Sequence, residues 1–219
     1  MPFALQMVGS LGVILAIVLA AGAAGSEYSW GTVRLMATAS SGRLRYLTAK
    51  LVIVFALVVL GTLLAVATAL LYSSIITFTN SGFGFGFVNG PYLRDQLESL
   101  RRTLAVITPY VCLAFGAAVV GRSTLAGAGA GIGAAFAEPL IASLMRLGGE
   151  PWHSIPRYFM NANAQVILQQ NDLPAVLPGG EDLHGVNSVE EAFLILSVYS
   201  VVFVALALFA YRHRDITTG

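Results

Sequence analysis

Few side chains in this 219-residue chain could carry chemistry, and their spacing rules out most reactions. The three histidines, His153, His184 and His213, all lie outside the long apolar runs. A haem or quinone site in a helical bundle usually needs a histidine facing the interior, and none is placed for it. Cys112 is the only cysteine, so it has no disulfide partner in the chain, and its apolar neighbours make it a small packing residue. No HExxH, no paired His/Cys ligands and no nucleophile motif occurs. Lys50, the only lysine, follows Thr48–Ala49 and not a glycine loop, so it is not a nucleotide-binding lysine. Neither catalysis nor a metal or cofactor bound by this chain is expected.

Two groups remain. The stretch LAGAGAGIGAAFAEP resembles a glycine-rich phosphate loop in composition, but no strand precedes it and no Gly-Lys-Ser/Thr follows. Gly127/Gly131 and Gly129/Gly133 are small-xxx-small pairs that let helix backbones approach closely, against a neighbour in this chain or another. Glu138 is the second group. A charged carboxylate at the centre of a membrane helix costs about 2.5–3.5 kcal/mol on insertion scales, and Pro139 beside it interrupts the backbone ladder. Glu138 and Pro139 either line a cavity or gate a path, or lie near the outer end, where the helix breaks and water enters.

The elements that must position these residues follow from composition. Hydrophobic residues make up 57% of the chain and charged ones 11%, against about a quarter charged in soluble domains. A chain this size cannot bury that much apolar surface in water, so its solvent is lipid. Five runs approach the length of a spanning helix: Phe3–Ala24, Leu51–Phe78, Leu104–Val120, Leu125–Leu147 and Ala192–Tyr211. They predict an all-α membrane protein, a polytopic bundle with five visible transmembrane helices, since lipid leaves open strand edges unpaired. No Lys or Arg precedes Arg34, so the first run is a span and not a signal peptide. A net charge of +1 argues against a nucleic-acid partner.

Alternating spans sort the connectors into two sides. A polar elbow at 25–50, the turn Gly121–Arg122–Ser123 and the tail Arg212–Gly219 share one side with seven cations: Arg34, Arg43, Arg45, Lys50, Arg122, Arg212 and Arg214. The other side holds Arg94, Arg101, Arg102, Arg146 and Arg157, with most of the acids. The positive side is expected to be cytoplasmic, with Arg101 and Arg102 running against the rule. Met1 would then lie outside, which leads us to expect a further helix before it, absent from this version of the sequence or supplied by another chain.

The connector at 79–103 carries Phe83, Phe85 and Phe87, then PYLRDQLESLRR, with Leu93, Leu97 and Leu100 on one helical face. Arg94/Glu98 and Glu98/Arg102 are i,i+4 pairs. It reads as an amphipathic helix lying at the outer interface, or as a solvated linker. The connector at 148–191 contains Pro151, Pro156, Pro174 and Pro178 and a stretch, YFMNANAQVIL, too polar to cross. Short helices tucked against the outer mouth are expected there.

The elbow carries a recognisable pattern. Glu27–Tyr28–Ser29–Trp30–Gly31–Thr32–Val33–Arg34 resembles the EY-x-WGT-x-R signature of ABC-2 type permeases, the membrane subunits of ATP-driven exporters. Ser41–Gly42–Arg43, Ala49–Lys50, the Gly121–Thr124 turn and Tyr211–Arg212–His213–Arg214–Asp215–Ile216 are similar to further segments of that family. Family members have six spans, with the elbow between the second and third, and short re-entrant helices between the last two.

The resemblance implies a permease subunit in a bacterial or archaeal cell membrane, paired with a second permease chain. Two copies of a cytoplasmic ATPase subunit would hold ATP and Mg. It also implies that Glu27, Tyr28, Trp30, Gly31, Thr32, Arg34 and Arg43 form the ATPase-coupling elbow. Trp30 and Tyr28 offer large contact area to a partner, although aromatic residues also anchor at the lipid interface. Few charges fall in the spans, so an apolar or amphipathic export substrate is expected. The alternative is a passive channel or a membrane-anchor subunit of another complex.

Overall fold

A computed structural model describes residues 11–29, 43–81, 90–149, 152–170 and 187–213. The described residues are helical apart from short turns, with no strand among them. Six α-helices occur in chain order: α1 (Val13–Ser29), α2 (Arg43–Ser81), α3 (Gly90–Gly121), α4 (Thr124–Arg146), α5 (Met160–Gln169) and α6 (Val189–His213). A 3₁₀ helix, Trp152–Tyr158, precedes α5. Leu44–Tyr72, Gly90–Gly121, Thr124–Arg146 and Val189–His213 are long and apolar enough to cross a membrane, and Val13–Tyr28 is apolar but shorter. These helices mark the chain as a helical membrane protein.

Helices run past the apolar runs wherever no breaker stops them. α1 continues through Ser29, and α2 begins at Arg43. Both ends of the predicted elbow at 25–50 are therefore helix ends and not loop. The longest such extension is at α3. The segment expected to be an interfacial amphipathic helix or a solvated linker is helical and continuous with the third apolar run, forming the first third of a 32-residue helix running to Gly121. Residues 92–108 contain no glycine or proline, so continuing the helix avoids leaving two sets of end groups unpaired. At 1.5 Å per residue it is about 48 Å long, well beyond the roughly 30 Å hydrocarbon layer. The pairing differs too: Arg101 bridges to Glu98 at 3.0 Å, three residues apart, while Arg102 turns to another helix.

α3 is the central helix. In its most apolar window 61% of residues are buried, against 17% in α2, α4 and α6, so the other spans pack around it. Val111, Ala114, Phe115 and Ala118 of α3 meet Ile17, Ala20, Ala21 and Ala24 of α1 in one core. α4 joins this pair through glycine. A methyl group on Gly127 would sit 2.5 Å from the Ala114 carbonyl oxygen, and one on Gly131 would sit 2.6 Å from Ile17 Cγ2. Gly129 and Gly133 meet nothing within 4 Å. Of the four glycines expected to pack helices, only Gly127 and Gly131 do so among the described residues. Residues two apart on a helix point about 200° from each other, so the second pair faces outward.

The α3–α4 turn is tight. Arg122 takes the left-handed conformation (φ 52°) usual for a glycine at that place. Ser123 N–H donates to Ala118 O at 3.2 Å, and its hydroxyl accepts from Leu125 N at 3.1 Å, capping α4.

The connector after α4 forms the 3₁₀ helix and α5, both packed against the bundle. Every residue of α5 from Met160 to Ile167 is buried. Its ten residues span about 15 Å, half the hydrocarbon thickness, so α5 does not cross.

Candidate functional site

Charge gathers at the two ends of the bundle. At one end the C-terminus of α1, the start of α2, the α3–α4 turn and the last turn of α6 come together. The backbones of Gly25 and Thr124 touch so closely that Gly25 has no room for a side chain. Tyr28 and Tyr211 both lie within electrostatic reach of Tyr46.

At the centre of this end is one ion pair. Lys50 Nζ donates to Glu27 Oε1 at 2.6 Å, and the Tyr46 hydroxyl donates to the same oxygen. The ammonium also stands 5.6 Å from the centroid of the Tyr46 ring. Tyr46 and Lys50 share a face of α2 because they are four residues apart. The side chains of Lys50 and Glu27 are only 15% and 17% exposed, so water screens the pair weakly. The only lysine in the chain thus ties the end of α1 to the start of α2. Sequence reasoning singled out both residues without pairing them. The available signal was one acid and one lysine bounding a single polar interval.

The predicted coupling residues divide accordingly. Glu27 and Tyr28 sit in the last turn of α1. Trp30, Gly31, Thr32 and Arg34 lie outside the described residues, as do Phe83, Phe85 and Phe87 of the other connector. Arg43 opens α2.

At the opposite end Glu138 has a partner. Its Oε2 accepts from the backbone N–H of Asn161 at 2.8 Å, so the carboxylate sits on the N-terminus of α5. Phe159, the N-cap residue, provides no side-chain acceptor of its own. Pro139 lies inside α4 without ending it, and its carbonyl accepts from the Ser143 hydroxyl at 2.9 Å. Nearby, Asn163 is fully buried and fully used. Its amide donates to the carbonyls of Arg157 and Phe159 at 2.9 and 2.8 Å and accepts from Asn187 at 3.0 Å. Tyr199 of α6 donates to the Tyr158 carbonyl at 3.1 Å.

An apolar groove of about 970 Å³ runs between α1 and α2, lined by residues that include Leu15, Leu19, Leu57, Val58 and Thr62. Both threonine hydroxyls along it bond to the backbone of their own helix: Thr62 donates to Val58 O at 2.8 Å and Thr68 to Ala65 O at 2.9 Å. The groove therefore offers apolar surface. Among the described residues no group of three or more His, Cys, Asp or Glu is placed to hold a metal ion.

No curated protein and no solved structure matches the chain. A family model does match, over residues 2–217, and its description is a protein of unknown function, DUF2705; the chain belongs to that family.

Proposed function

We propose that this chain is the permease subunit of an ABC-2 type exporter, driven by a separate pair of cytoplasmic ATPase subunits and working beside a second permease chain. The observation that carries this reading is the elbow. The EY-x-WGT-x-R pattern begins on the last turn of α1, and its glutamate is tied to Lys50 and Tyr46 at the start of α2. A segment that passes on a push must be stiffly joined to the helices it moves. This ion pair, with the close Gly25–Thr124 contact, joins the elbow's ends to α2 and to the α3–α4 hairpin. The apolar groove favours an apolar or amphipathic substrate.

The test is co-purification. The wild-type chain is expected to retain an ATPase subunit, and Trp30→Ala, which removes an anchoring aromatic, to insert normally but lose it. A channel or a membrane anchor would purify without an ATPase from the start, and that result sinks the proposal.

Orientation is tested separately. The ion-pair end is expected to be cytoplasmic on the count of positive residues. In a Cys112→Ser background, Trp152→Cys should react with an impermeant thiol reagent in intact cells, whereas Thr48→Cys should not. Both positions are exposed in the fold. Inverted vesicles should exchange the two results, and the opposite pattern would place the elbow outside, away from any ATPase.

A further inference from the structure

We propose that α5 is a releasable element held by a charge clamp, with Glu138 of α4 on its N-terminus and Arg102 of α3 on its C-terminus. A ten-residue helix is too short to persist by itself. Its first N–H groups and last C=O groups lack partners within the helix, and Phe159 provides no cap. Both ends are completed from elsewhere in the fold. Glu138 Oε2 accepts from Asn161 N at 2.8 Å, and the Met160 N–H also faces this carboxylate. At the other end Arg102 Nη1 donates to the Gln170 carbonyl at 2.8 Å. An anion meets the positive end of the helix dipole and a cation meets the negative end, which is the favourable arrangement in each case.

The buried residues of α5 alternate between the amides Asn161, Asn163 and Gln165 and the apolar Met160, Ala164 and Ile167, which join the core, so moving α5 toward water exposes amides together with part of the apolar core. The two clamping residues belong to adjacent helices, α3 and α4, joined at the far end of the bundle by the Gly121–Thr124 turn. A shift of α3 along α4 cannot keep both charges on α5, because each is held to one end of a rigid helix. The Asn163–Asn187 and Tyr199–Tyr158 hydrogen bonds remain as a tether to α6. That release would open a substrate path rests on the permease reading. The clamp itself does not.

Hydrogen exchange on the purified chain in nanodiscs tests it without transport or an ATPase. Glu138→Ala and Arg102→Ala are each expected to speed exchange of the α5 amides about fivefold, the opening expected for loss of one cap. Exchange in α1 and the second half of α3 should stay at wild-type values. Unchanged α5 exchange in both variants overturns the proposal. So does an equal rise in every helix, which would mean that α5 opens only together with the rest of the bundle.

If either variant fails to fold, thiol accessibility in a Cys112→Ser background decides. Ile167→Cys on α5 and Ile17→Cys on α1 start equally buried, at 0% exposure. Faster labelling of Ile167→Cys supports release, and equal rates overturn it.

Discussion

Lys50→Ala is expected to lower the stability of the purified chain by about 2 kcal/mol, read as a drop in thermal unfolding temperature. The substitution leaves Glu27 charged and mostly covered, with the Tyr46 hydroxyl as its remaining side-chain partner among the described residues. Breaking a fully buried pair costs about 3–5 kcal/mol; the residual exposure here lowers the figure. Glu27→Ala should cost less, because the long lysine stem can carry its ammonium out to water while a glutamate on the last turn of α1 has less reach. The double variant should recover most of the loss, since neither charge is then stranded. If Lys50→Ala unfolds with the wild type, the pair is a surface contact of no consequence. The stiff join between elbow and spans would go with it.

The other large effect is expected at Gly127. A Cβ there meets the Ala114 carbonyl oxygen at 2.5 Å and the Ala118 methyl at 2.6 Å, and a carbonyl within a central helix cannot swing aside. Gly127→Val should force α4 away from α3, costing about 3 kcal/mol, at the upper end for overpacking. Gly129→Val is the matched control. It places the same branched side chain in the same helix where nothing lies within 4 Å, so only helix propensity changes. Equal destabilisation by both would mean that propensity dominates and that the close α3–α4 contact contributes little.

The contrast between these two glycines shows how much was legible beforehand. Four glycines at spacings of two and four define two equivalent helix faces, and nothing local distinguishes them. Only the positions of Ala114 and Ile17, which belong to other helices, make Gly127 and Gly131 the buried face. The apolar runs marked the spans because lipid exposure leaves a direct compositional trace. Helix ends were less legible, because polar residues such as Arg43 or Arg94 extend a helix as readily as apolar ones when no breaker intervenes. Least legible was α5, where Asn161, Asn163 and Gln165 conceal burial behind a polar composition. Its partners lie 23 residues away at Glu138 and 68 residues away at Arg102, separations that no periodicity reports.

Arg102 also accounts for one of the two arginines that run against the charge rule. It is engaged at the Gln170 carbonyl, and its neighbour Arg101 stacks 5.1 Å from the Phe193 ring and pairs with Glu98. Both cations are employed within the fold.

Because Lys50 is the only lysine, the chain contains a single side-chain amine. An amine-selective acylating reagent therefore has one side-chain amine to reach, and that amine is shielded by a carboxylate at 2.6 Å and by the Tyr46 ring. The rate at which this amine is acylated measures how often the α1–α2 junction opens, with no label to introduce and no competing lysine to remove. The protein thus carries its own single-residue chemical reporter at the junction of α1 and α2.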